Sequence, residues 1–212
     1  MQLRELASNH FLETIYVLGS GPSLNFLEPS FFDNELVIST NFSARALGFE
    51  PDYAFTHYHR NALDLLNDSG VVVSLARDTV TQNPWHGEQP HGLVLVEQDD
   101  YRPPGSSWNP LTTHPPKPHS LAYGSSSLHG AMHLAAWMGA KNIVLVGADC
   151  GQIDGADRVS NYQVKGGDTL WSLYNNHHKF MKDWLVKEYG VNVYSLNPFI
   201  NFNFEGHTFQ GV

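Results

Sequence analysis

Short apolar runs recur along the chain at Ile15–Leu18, Leu36–Ser39, Tyr53–Thr56, Val71–Leu75, Leu93–Val96, Ile143–Val146 and Val191–Tyr194. Each is rich in β-branched residues and has the length of a short strand. Several are apolar at successive positions instead of alternating, as strands covered on both faces are, which predicts a mainly parallel sheet sandwiched between helices.

Two longer segments change the period. In SSSLHGAMHLAAWMGAKN, Leu128, Ala131, Met132, Ala135 and Ala136 follow helical spacing, with Gly139 as the stop. In LYNNHHKFMKDWLVKEYG, Phe180, Met181, Trp184, Leu185 and Glu188 form a stripe that ends at Gly190. Each of these helices feeds a strand. Shorter helices are predicted after Asn41 and over residues 61–67. Residues 98–120 hold six of the chain's 12 prolines and read as one long loop, either a lid or a surface excursion pinned by Trp108.

At 212 residues the chain suits one α/β domain spanning 1–212, and no internal repeat divides it. A formal charge of -9, from 12 Lys and Arg against 21 Asp and Glu, argues against nucleic acid as a partner. No apolar run approaches the ~20 residues of a membrane span, the opening MQLRELASNH is polar, and Cys150 is the one cysteine, so a cytoplasmic protein without a transmembrane segment is expected. Assembly as a homo-oligomer stays open.

The sharpest local signal is VLGSGPSL, residues 17–24. Gly19 and Gly21 remove side chains where a backbone would approach a phosphate, Pro22 suits the first position of a helix or turn, and Ser20 and Ser23 add hydroxyls. The corner is neither a Walker loop nor the dinucleotide fingerprint. Asn41, at the end of the second strand, is placed either to bind a nucleotide beside that corner or to cap the next helix. Ser126 and Ser127, with Ser125 before them, open the central helix and offer a second anion site, one of the three serving as the cap. Asp149 ends the strand Ile143–Val146, where a catalytic or ligand-binding carboxylate and one that bonds loop amides are both sensible. The pairs His57/His59 and His129/His133 each share a face and could hold a metal, but no third ligand is fixed by spacing, so no metal site is assigned.

The order GSGPSL, STN, Ser126-Ser127 before an alanine-rich helix, GAKNIVLVGAD, and a last helix into VYSLNP resembles the bacterial sialyltransferases that use a CMP-sugar. It is also similar to a group related to 6-hydroxymethylpterin diphosphokinase. The resemblance covers most of residues 14–199. It implies a Rossmann-like three-layer α/β/α sandwich and a transferase taking a CMP-linked sugar to a small-molecule or glycan acceptor, with no required cofactor. Mg²⁺ and ATP would be needed if the diphosphokinase resemblance governs, and a nucleotide-binding protein without catalysis is the third alternative.

Carried over by position, Gly19, Gly21, Pro22 and Ser23 would flank phosphate and sugar, Asn41 would bind the nucleotide, and Ser127 would touch the donor. A histidine before or within the last helix acts as base in that family, and His177 and His178 are the nearest residues here. Helical neighbours lie about 100° apart, so one should face the site and the other solvent. Two departures stand out. Ser20 replaces the family's Asn, and Gly151 stands where the family has a tyrosine that supports the leaving phosphate, a role Tyr162 could fill from farther along the loop.

Overall fold

The computed structural model describes residues 1–78, 81, 83–99, 120–122, 126–162 and 171–196. Eight strands, β1 (Thr14–Leu18), β2 (Leu36–Thr40), β3 (Tyr53–Thr56), β4 (Val71–Leu75), β5 (Leu93–Asp99), β6 (Ser120–Ala122), β7 (Asn142–Val146) and β8 (Asn192–Ser195), form one sheet in the order β6-β5-β4-β3-β2-β1-β7-β8. Every pairing is parallel. The chain steps outward from β1 to β6, then returns to lay β7 on the other side of β1. Strand order therefore reverses between β1 and β7, and the crevice beyond their carboxyl ends is where an open α/β sheet takes its ligands.

Four α-helices complete the layers: α1 (Ser43–Leu47), α2 (His59–Leu65), α3 (Ser127–Trp137) and α4 (Trp171–Tyr189). Side chains alternate between two cores, as the period of a strand requires. Ile15, Val17, Ile38, Phe55, Val73, Val94, Ile143 and Leu145 pack with α3 and α4 on one face. Leu18, Val37 and Val146 pack with Leu24, Phe32 and Ala44 on the other, where Ala54, Val72 and Leu93 also meet Ala62 and Leu65 of α2. Apolar successive positions thus mark strands buried on both sides, and the fold is the α/β Rossmann-like class.

Three details differ from the sequence pattern. β5 runs through Asp99 and β6 begins at Ser120, so the ends of the proline-rich segment are strands; its interior, with Asp100 and Trp108, lies outside the described residues. On α4, Phe180 and Glu188 point outward, and the buried stripe is His177, His178, Met181, Trp184 and Leu185. Helix α3 is not amphipathic in place: every residue from Ser127 to Ala136 is buried, because the sheet covers one side and α4 another. Its C-terminal stop is as expected, with Gly139 at φ +92°, a conformation that costs glycine nothing.

Gly130 sits at the closest approach of α3 to the sheet, where a Cβ would run into the ring of Phe55. Among the described residues no helix is long and apolar enough to cross a membrane. Alanine is the better helix former by about 1 kcal/mol, yet Gly130→Ala should destabilise the protein by about 1–3 kcal/mol through overpacking. Urea midpoints of wild type, Gly130→Ala and Gly130→Ala/Phe55→Leu measure this, with the smaller side chain recovering part of the loss.

Candidate functional site

β1 and β7 leave the sheet side by side, and their exits interlock. The amides of Gly19 and Gly21 donate to the carbonyls of Val146 (2.7 Å) and Gly147 (2.8 Å). A Cβ on Gly19 would strike the Gly147 carbonyl, and one on Gly21 would strike the Asp149 carboxylate and the same carbonyl. Gly21 has φ -71°, so glycine is required there by close approach and not by a left-handed turn. Pro22 opens a 3-10 helix, Pro22–Phe26, as its fixed φ allows. The amide of Ser23 donates to Asp149 Oδ2 at 2.6 Å.

This corrects one expectation. The amides of the glycine corner do not point outward to a phosphate: those of Gly19, Gly21 and Ser23 are bonded within the protein, the last to a carboxylate. Asp149 is the loop-bonding aspartate, 1% exposed, with its carboxyl raised above the usual range first by burial. Oδ1 of Asp149 and the Ser23 hydroxyl are buried beside one another, and both the side chain and the amide of Ser23 act to lower the Asp149 pKa against burial.

Immediately beside this corner, side chains from four places meet. Asn41 follows β2 at φ +49° and does not cap α1; its Nδ2 donates to Ser127 Oγ at 3.3 Å and its Oδ1 accepts from Thr56 Oγ1 at 2.8 Å. Burial raises the pKa of Tyr162 and keeps the phenol neutral, against the side chains of Ser20 and Asn41, which face its hydroxyl and lower it. Arg158 lies with its guanidinium 5.5 Å over the Tyr162 ring. The loop carrying both residues is tied to β1's exit: Val159 N donates to Ser20 O at 3.0 Å, and Ser160 N to Asn25 Oδ1 at 2.7 Å. Ser20, Asn41, Tyr162 and Arg158 are part-buried, so the cluster is polar and open at the sheet's carboxyl edge.

Helix α3 begins at the same edge. Ser126 is its N-cap, accepting the Leu128 amide at 3.1 Å, while the Ser126 amide donates to His129 Nδ1 at 3.3 Å. Ser127 reaches Asn41 instead, and Ser125 lies outside the described residues. Behind this cap, His57, His129, His177 and His178 pack together. His129 Nε2 is 2.7 Å from His178 Nδ1, and the His129 and His177 ring centres are 6.0 Å apart. Both α4 histidines are 3% exposed, against the expectation that one faces solvent, because α3 and the edge of the sheet together enclose that turn of α4. Burial holds His57 and His178 down at about 3, lowers His177, and takes His129 well below the ordinary imidazole range.

The two histidine pairs have other partners. His129 bonds Ser126 and His178, whereas His133 accepts the Ala122 amide at 2.6 Å and meets the Tyr189 hydroxyl at 2.6 Å. His57 joins the buried cluster while His59 starts α2 against Trp85. Among the described residues no group of three or more His, Cys, Asp and Glu is arranged to hold a metal ion. Thr56, Arg158 and Tyr174 were not legible beforehand: Tyr174, on the first turn of α4, senses the charge of Arg158 and the hydroxyl of Tyr58, a meeting of distant segments without a spacing motif.

An α/β Rossmann-like domain with a polar cluster at its topological switch point is the class these observations define. No family model and no curated protein matches the sequence. Solved structures, two of which follow, share the fold. The MAf glycosyltransferase from Magnetospirillum magneticum AMB-1 aligns with 93% of this chain at 16% identity and a TM-score of 0.56, and this chain spans 34% of that one. The sialyltransferase CstII from Campylobacter jejuni, in complex with the substrate analogue cytidine-5'-monophosphate, aligns with 91% of this chain and 86% of its own at 14% identity and a TM-score of 0.50. At such identities the likeness establishes the fold alone.

The buried histidines generate a pH dependence. His57 and His178 titrate at about 3 when folded and near 6.5 when unfolded, so the unfolded chain binds more protons between those values. Stability is whole above pH 6.5 and falls as pH drops towards 3. At pH 5 each should cost on the order of 2 kcal/mol. Urea midpoints at pH 7 and pH 5 measure the loss, and His57→Gln should flatten the slope.

Proposed function

We propose that this chain is a nucleotide-binding glycosyltransferase that takes its sugar from a CMP-linked donor and needs no metal ion to do so. The observation that carries the reading is the Tyr162 hydroxyl, set against the Ser20 and Asn41 side chains beside Arg158 at the β1/β2 edge. A neutral phenol, two small polar side chains and one guanidinium suit a single phosphodiester charge, which an acidic protein must meet locally. The cytidine-5'-monophosphate held by CstII, a protein of the same fold, is consistent with that chemistry.

In this reading Tyr162 takes the part of the family tyrosine that Gly151 cannot play. The donor phosphate exchanges into the hydrogen bonds that Ser20, Asn41, Ser127 and Tyr162 make with one another in the free protein. Arg158 stabilises the charge that grows as the bond from the anomeric carbon to the phosphate oxygen breaks. The hydroxyl of a small-molecule or glycan acceptor attacks that carbon and gives its proton to an imidazole of α4, His177 or His178. Asp149 takes no part in the chemistry; it holds the Ser23 amide and with it the corner.

A thermal-shift and calorimetric series with CMP, a CMP-sugar, UDP, GDP and ATP, each with and without Mg²⁺, tests the proposal. CMP and the CMP-sugar should raise the melting temperature without metal. Tyr162→Phe should weaken CMP binding by about tenfold, the worth of one hydrogen bond to a charged group, and leave melting of the free protein little changed. Stabilisation by ATP only in the presence of Mg²⁺ would favour the diphosphokinase alternative, and CMP binding without transfer or donor hydrolysis the non-catalytic one.

A further inference from the structure

We infer that His129 is a positioning residue that fixes His178 as a hydrogen-bond donor, so that His177 is the α4 imidazole left to accept a proton. The His177 part rests on the transferase reading; the His129 part does not. At the cap of α3 a backbone amide can only donate. Since the Ser126 N–H points at His129 Nδ1 from 3.3 Å, that nitrogen carries the lone pair. A neutral His129 then has its hydrogen on Nε2.

The next link follows from distance. His129 Nε2 is 2.7 Å from His178 Nδ1, so His178 accepts there, and a neutral His178 holds its own hydrogen on Nε2. The chain of bonds runs one way, from the Ser126 amide to His129 to His178. It cannot run backward, because a peptide nitrogen has no lone pair to receive a proton. A proton taken up by His178 would therefore create a buried imidazolium beside another imidazole, His177, and burial and that neighbour both disfavour the charge. The neutral, donor-presenting state is what the surroundings favour.

His129 acts through geometry that sequence separation hides: it lies on α3, 49 positions before its partner on α4. Its burial is complete, and its ring also stacks edge-on with that of His178, centres 4.7 Å apart. The same contact anchors the first half of α4 against α3, which explains why both α4 histidines are enclosed.

The test is a long-range ¹H–¹⁵N correlation spectrum of histidine-labelled protein without ligand at pH 7, which reads the tautomer of each ring whether or not the protein is a transferase. His129 and His178 should both be neutral with hydrogen on Nε2. His129→Gln, whose amide can still donate, should keep the His178 tautomer, whereas His129→Leu should lose it to a mixture. His178 found with hydrogen on Nδ1, or as an imidazolium, overturns the inference. With a CMP-sugar as substrate, His177→Ala should lower turnover by ~10²- to 10⁴-fold at little cost in donor KM. His129→Leu should shift the pH profile, and His129→Gln should restore it. A wild type that neither transfers nor hydrolyses the donor would sink the transferase reading and the role of His177, while the spectra still decide the role of His129.

Discussion

The exits of β1 and β7 lie so close that neither tolerates a side chain, and the rest of the site is hung from that contact. Gly19 and Gly21 give their amides to the carbonyls at the end of β7, and Asp149 reaches back across to the Ser23 amide. Gly147 completes the interlock, because a Cβ on it would run into Leu24. At such a switch point the chains leaving neighbouring parallel strands ordinarily turn to opposite sides, leaving a crevice beyond the carboxyl ends. Here backbone hydrogen bonds and one buried carboxylate set its floor. That arrangement consumes the amides of Gly19, Gly21 and Ser23, and under the proposed function it leaves a phosphate to side chains at the rim: Ser20, Asn41, Ser127, Tyr162 and Arg158.

Two polar systems occupy that rim, and they differ in kind. Ser20, Asn41, Thr56, Ser127 and Tyr162 exchange hydrogen bonds among small neutral groups that a ligand can displace at little cost, since each bond is worth only about 1 kcal/mol net. Of the imidazoles behind the α3 cap, His57, His129 and His178 are enclosed and neutral, and for them the expense of charging a ring outweighs the gain from any one bond. The first system is built for exchange and the second for holding its protons in place. The left-handed conformations of Asn41 and Cys150, both just beyond strand ends at this edge, are the backbone strain that such a site concentrates.

Most of the layer structure was legible because burial on both faces writes itself into composition: the runs at Ile15, Leu36, Tyr53, Val71, Leu93 and Ile143 are all strands. β6 was not, since three residues beside a proline-rich stretch carry too little pattern. The burial of α3 on all sides was missed because its stripe describes only the side towards the sheet, and what covers the remainder is a helix some forty residues on. At the site, the glycine corner, Asn41, Ser127 and Tyr162 could be named from motif order. The use of Asp149 as an internal anion, the place of Arg158, and the link from His129 to His178 arise from tertiary approach between segments far apart in sequence, and no local spacing encodes them.

The central claim is that a single nucleotide phosphate is held by side chains at the β1/β2 rim and not by the amides of the glycine corner. A crystal structure of the protein with CMP addresses it most directly. The phosphate should lie within hydrogen-bond distance of the Tyr162 hydroxyl and the Asn41 amide, with the Ser23 amide still on Asp149. A phosphate seated on the Ser23 amide with Asp149 displaced, or CMP bound at another edge of the sheet, would contradict the account.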